Sequence, residues 1–151
     1  MFNLILVNGP NFNHDGNYKR DLYRKICVDQ IEEKVSSVLS GTDVYLESFF
    51  SNSEDEIVCW LKNKKKIDFL LLNPGALSFS CLELRNTIIE IQVPFLEIHL
   101  SNIFTHMDSE YCSRFSDISM GSLMGLGLKG FTLASKFAVD YLHQNMTFKK
   151  I

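Results

Sequence analysis

Short apolar runs alternate with longer segments of helical period along this chain, and that alternation restricts its fold more than any other feature. Runs of strand length lie at 2–7, 44–50, 67–72 and 94–100, with a fifth around 120–124. Between them, positions 26–39, 54–64, 82–91 and 131–143 carry apolar residues at helical spacing. Ser53 followed by Glu56 has the pattern of a capping box and sets the start of the second helix. Alternating strands and helices imply α/β architecture: a five-stranded parallel sheet with helices on both faces. The run "IDFLLL" fits, because a strand covered on both sides needs no polar face. With 151 residues, 46% of them hydrophobic, the chain suffices for a single domain over 1–151 with one real core.

Composition narrows the range of partners. Fifteen Lys and Arg face eighteen Asp and Glu, interspersed, for a net charge of −3, so no nucleic-acid footprint is present. Small molecules and other copies of the chain are the expected partners. Cys27, Cys59, Cys81 and Cys112 are far apart and form no CxxC pair, which argues against a zinc ribbon or a stapled secreted scaffold and for a reduced, cytoplasmic chain. The start, "MFNLILVNGPN", has too short an apolar run for a membrane span and no basic region before it, and it reads as a first strand. No internal repeat, low-complexity segment or linker is visible.

In a parallel α/β sheet, ligands bind beyond the carboxyl ends of the strands. The segments there are "NGPNFNHDGNYKRDLY", "NPGALSFS" and "HLSNIFTHMDSEYCSRFSD", all polar and longer than the opposite connections. On the strand "FLEIHLSN", Glu97, His99 and Ser101 share one face by the two-residue period. A carboxylate beside an imidazole raises the imidazole's pKa and suits it to proton donation near neutrality; a structural hydrogen-bonded trio has the same spacing. Asn11 and Asn73 follow strand ends in Gly- and Pro-shaped loops, where neutral donors can hold an enolate or its bridging water.

Other patterns carry less. Gly125, Gly127 and Gly130 satisfy GxGxxG but come too late for a dinucleotide fingerprint, and tight strand-to-helix packing is the expectation for them. Glu97, His99, His106 and Asp108 are metal-ligand types at no standard spacing, so no metal is expected. The lysines of "KNKKK" suit a helix end and a solvated face, and His14 and His143 read as surface residues.

With "NGPNFN", "NPGALS", "EIHLSN" and "GLGLKG" in order and spacing, the chain resembles the type II dehydroquinases, or 3-dehydroquinate dehydratases, over essentially its whole length. The resemblance implies a flavodoxin-like domain that assembles as trimers and then a dodecamer, and that uses neither metal nor organic cofactor. It implies a lyase in which a lid tyrosinate, matched by Tyr23, removes a proton from C2 of 3-dehydroquinate. His99 then protonates the departing C1 hydroxyl. Asn11 matches the residue holding the enolate's water and Glu97 the carboxylate near the acid. Asn73 matches a substrate-binding asparagine, and Leu100 with Ser101 the carboxylate-binding end.

Departures from the family pattern cluster around the base and the substrate. The lid arginine that activates the tyrosine falls at Tyr18; an unassisted tyrosine is ionised in only about one molecule in a thousand at neutral pH, which leaves Lys19 or Arg20 as replacement activator. Phe79 stands where a substrate-binding histidine is usual. Asn86, after Arg85, stands where a neighbouring subunit supplies an acid. The distal arginine falls at Glu110, with Arg114 nearby. The leading expectation is dehydration of 3-dehydroquinate. Two alternatives stay open: acid–base chemistry on a less polar substrate, or a non-catalytic protein that binds a ligand or serves assembly.

Overall fold

The apolar runs become the strands of one sheet, the central ones buried on both sides, as a computed structural model shows for residues 1–10, 26–105 and 112–144. In chain order the elements are β1 (Phe2–Asn8), α1 (Val28–Leu39), β2 (Val44–Phe50), α2 (Glu54–Lys62), β3 (Phe69–Asn73), α3 (Leu82–Ile91), β4 (Phe95–His99), β5 (Gly121–Met124) and α4 (Leu128–Gln144). Short 3₁₀ turns occupy Gly75–Phe79 and Ile103–Thr105. The sheet runs β2-β1-β3-β4-β5, with every neighbouring pair parallel. This is the flavodoxin-like order, whose topological switch lies between β1 and β3.

The two-residue period of β1 divides the core. Leu4 and Leu6 join Ile31, Val35 and Leu39 of α1 and Phe131, Ala134, Ala138 and Leu142 of α4. Ile5 and Val7 face the other way, toward Ile57, Val58 and Leu61 of α2 and Leu84 and Ile88 of α3. Two helices on each face cover the sheet, and only its edges reach solvent. Among the described residues, no helix is long and apolar enough to cross a membrane.

Local chemistry moves several element ends from the expected positions. Ile26 precedes α1, and Gln30 Oε1 accepts the Cys27 N–H at 3.0 Å to close the helix entry. β3 begins at Phe69, because Asp68 turns its carboxylate onto the Asn3 N–H at 2.7 Å. β4 begins after Pro94, which has no N–H for the ladder. α2 ends at Lys62 instead of 64, where the Asn63 side chain bonds the Cys59 carbonyl at 2.9 Å. α4 starts three residues early, at Leu128.

The capping box at Ser53 is only half formed. Ser53 Oγ accepts the Glu56 N–H at 3.4 Å, but the Glu56 carboxylate accepts the Ser51 hydroxyl, and Ser51 Oγ in turn accepts the Ser53 N–H at 3.0 Å. A nearer hydroxyl has displaced the backbone partner. The lysine run is also more than a solvated face: Lys64 pairs with Glu47 of β2 and lies 3.9 Å from the Trp60 ring centre, and Lys66 pairs with Asp68 at 3.3 Å. His143 is surface-exposed, as expected, but pairs with Asp43.

Candidate active site

β4 ends its apolar run with two buried polar side chains. Glu97 is 0% and His99 3% exposed. His99 Nε2 and Glu97 Oε1 are 2.7 Å apart, as the shared strand face requires. With Nε2 engaged, Nδ1 is the ring nitrogen left for a ligand.

The carboxylate is further enclosed by three hydroxyls. Ser113 donates to Oε1, Ser116 to Oε2 at 2.5 Å, and Ser122 to Oε2 at 3.3 Å. Ser122 is the β5 residue in register with Glu97, while Ser113 and Ser116 lie on the segment that leads into β5. Burial is the strongest influence on the Glu97 carboxyl and pushes its pKa up; hydrogen bonds from His99, Ser113 and Ser116 together overcome it and hold the group below the usual carboxylate value.

The segment carrying Ser113 and Ser116 is tied down on its outer side. Arg85 of α3 forms a fork with Asp117, at 2.5 and 2.8 Å, and donates to the Arg114 carbonyl at 2.6 Å. The Arg114 N–H donates to the Ser78 carbonyl at 2.6 Å. One strap therefore joins the acid pair to the 3₁₀ turn ending at Phe79 and to the helix bearing Asn86.

At the switch point, Asn8 of β1 and Asn73 of β3 are paired in register, and Asn73 Nδ2 donates to Asn8 Oδ1 at 2.9 Å. The flanking sequences "NGP" and "NPG" are clasped backbone to backbone. A Cβ on Gly9 would lie 2.4 Å from the Pro74 carbonyl oxygen, and one on Gly75, at φ +56°, 1.8 Å from that of Pro10. The Ala76 N–H closes the clasp onto the Pro10 carbonyl at 3.1 Å. Asn8 Nδ2, buried beneath, has no hydrogen-bond partner among the described residues.

The other expected site residues divide into three groups. Phe79 is half-buried, while Asn86 and Arg114 are exposed. Leu100 is buried and Ser101 half-buried, but strand pairing stops at His99, so Ser101 leaves the regular face and the hydroxyls on Glu97 come from elsewhere. Asn11, Tyr23 and Arg20, with His14, Tyr18, Lys19, His106, Asp108 and Glu110, lie outside the described residues. Among the described residues no three His, Cys, Asp or Glu side chains are grouped as for a metal ion.

Of the "GLGLKG" glycines, Gly125 serves both backbone shape and close packing, since a Cβ there would lie 3.0 Å from Asn102 Cβ. Gly125 and Gly127 have φ +83° and +57°, whereas a Cβ on Gly130 would meet Ile98 and Leu126 at an ordinary 3.6 Å. Sequence reading missed Asn8, Ser113, Ser116 and Ser122. Ser122 lies in the fifth apolar run, but nothing read from the sequence placed that run beside Glu97.

A flavodoxin-like sheet with a buried carboxylate–imidazole pair at a strand's carboxyl end defines an α/β protein with ionisable groups where this fold places its ligands. Comparison with known proteins is more specific. The family model described as dehydroquinase class II matches residues 2–139. The 3-dehydroquinate dehydratase of Haemophilus influenzae strain PittGG is 36% identical over 140 residues, 92% of this chain and 94% of that one. That of Buchnera aphidicola subsp. Cinara cedri is 39% identical over 142 residues, 93% of each chain. The type II dehydroquinase structure from Butyrivibrio crossotus shares the fold with a TM-score of 0.79 at 21% identity, over 91% of this chain and 97% of that one. The chain belongs to the class II dehydroquinase family.

Proposed function

We propose that this protein is a hydro-lyase that converts 3-dehydroquinate to 3-dehydroshikimate through an enolate. The observation that carries the reading is the buried Glu97–His99 pair, held at the strand end where a family member needs its acid. His99 delivers a proton to the leaving C1 hydroxyl, and Glu97 fixes the ring so that Nδ1 faces the substrate. Tyr23 removes the C2 proton, Arg20 supplies the cation that lowers its pKa, and Asn11 holds the water that stabilises the enolate. Asn73, Leu100, Ser101, Phe79, Asn86 and Arg114 form the substrate wall. No metal or organic cofactor takes part.

The protein acts in the cytoplasm as trimers assembled into a dodecamer. An exposed stripe on α3, with Leu82 at 61% and Ile89 at 44% on either side of Asn86, supports assembly through that helix. A second reading, acid–base chemistry on a less polar substrate, is favoured by one feature: half-buried Phe79 presents a ring where family members use an imidazole.

Turnover of 3-dehydroquinate, followed by the ultraviolet absorbance of the conjugated enone product, tests the reaction. His99→Ala should slow it by about 100- to 10,000-fold with the fold intact, and Tyr23→Phe should abolish it. Unchanged turnover in both variants would reject the assigned roles. No turnover in folded, assembled wild-type protein would shift the reading to another substrate or to a binding role.

A further inference from the structure

The hydroxyls around Glu97 do more than fill space. A carboxylate in a dry site is stable only if its oxygens are paired. If His99 were the sole partner of Glu97, the pair's charges would rise and fall together: once the imidazole had given its proton to a leaving group, an anion would remain beside a neutral ring. A proton returning to the site would then be shared between carboxylate and imidazole, with neither holding a fixed role.

The arrangement around Glu97 prevents this. Oε1 accepts from His99 and Ser113, and Oε2 from Ser116 and Ser122, so each oxygen keeps a hydroxyl donor when the imidazole is neutral. The donors come from two independent supports, the strap at 113–117 and β5. The strap is itself anchored by the Arg85–Asp117 fork. Among the described residues, His99 is the titratable side chain that acts on the carboxylate. Of the charged groups on the strap and α3 beside it, Arg85 and Asp117 satisfy each other, and Glu83, Glu90 and Arg114 are exposed.

We propose that Ser113, Ser116 and Ser122 are positioning residues of the acid site: they hold Glu97 as an anion whatever the charge on His99, so that the imidazole alone changes protonation during turnover. This rests on the proposed reaction for its catalytic meaning but not for its electrostatics. It adds to the site three residues that touch neither substrate nor reacting atoms.

Carbon-13 NMR of protein labelled at the glutamate carboxyl carbons, with the Glu97 signal assigned by its loss in Glu97→Gln, reads the carboxylate directly. In wild-type protein Glu97 should titrate below the free-glutamate value. Ser116→Ala and the double variant Ser113→Ala/Ser116→Ala should raise its midpoint by roughly one to two pH units, and Ser116→Thr, which keeps the hydroxyl, should restore it. Should the double variant fail to fold, Ser116→Ala and Ser122→Ala read the same quantity singly. The acid limb of kcat/KM should move upward in pH by the same amount.

A Glu97 midpoint unmoved by every serine removal would overturn the proposal while leaving the reaction standing. A midpoint that moves in a protein inert toward 3-dehydroquinate would uphold the hydroxyl cage and reject the substrate.

Discussion

Two polar groups are buried at the carboxyl edge of one sheet, and the fold treats them differently. Glu97 on β4 has four donors on its two oxygens. Asn8 on β1, just as deeply covered, has among the described residues one side-chain partner and a spare amide donor with none. The contrast follows from charge. An unpaired anion in a low-dielectric interior costs several kcal/mol, whereas an unpaired neutral amide costs about 1–3. The chain therefore spends serines from two elements on the carboxylate and secures the amide by backbone shape, through the clasp of Gly9 and Gly75. The acid end is built from side-chain hydrogen bonds, the switch point from backbone fit.

Removing the carboxylate is the severest way to break that comparison. Glu97→Ala strands the buried imidazole and the buried Ser113 hydroxyl, while the exposed Ser116 and Ser122 can turn to water, and it should destabilise the fold by ~3–5 kcal/mol in urea unfolding. A loss under ~1 kcal/mol would mean that the hydroxyls find other partners freely and that the cage is incidental. The sign of the pH dependence is fixed as well. Because the folded carboxyl is held below its unfolded value, its contribution is present above about pH 4.3 and disappears as pH falls through the folded pKa.

At the switch point the corresponding blow falls on the backbone. Gly75→Ala places a methyl where 1.8 Å separates it from the Pro10 carbonyl oxygen, at a positive φ that alanine resists. The expected cost is ~2–4 kcal/mol. Loss of turnover should accompany it, since the clasp sets Asn73 relative to Gly9 and Pro10. Wild-type stability in this variant would show that the two loops are free to part and that shape does not hold the amides.

How much of this was readable beforehand divides along the same line. The sheet, its helices and the Glu97–His99 pair follow from periods of 2 and 3.6, which are local and survive in any single sequence. The serines meet Glu97 across 16, 19 and 25 residues, and no local period connects them. Ser101 was expected on the shared face because the period was extended past His99, where strand pairing in fact stops. Asn8 sat inside a recognised motif but was read as the first residue of the loop after a strand ending at Val7; its amide acquires meaning only when β3 brings Asn73 alongside.

The weakest test concerns a charge that is not buried at all, and it asks whether dense pairing matters only in dry sites. Asp43 and His143 form an exposed ion pair, 52% and 42% accessible, one residue before β2 and at the end of α4. Each shifts the other: the aspartate is lowered chiefly by its hydrogen bond with the histidine, and the histidine is raised chiefly by the same bond. A raised histidine contributes stability below its unfolded pKa of about 6.5 and loses it as pH rises; a lowered aspartate contributes above about 3.9 and loses it as pH falls. The two conditions overlap between about pH 4 and 6.5. In that window Asp43→Asn should lower the urea midpoint slightly, and added salt should erase the difference by screening the exposed charges. A shift as large as that of Glu97→Ala would end the argument that burial, rather than pairing itself, makes the hydroxyl cage necessary.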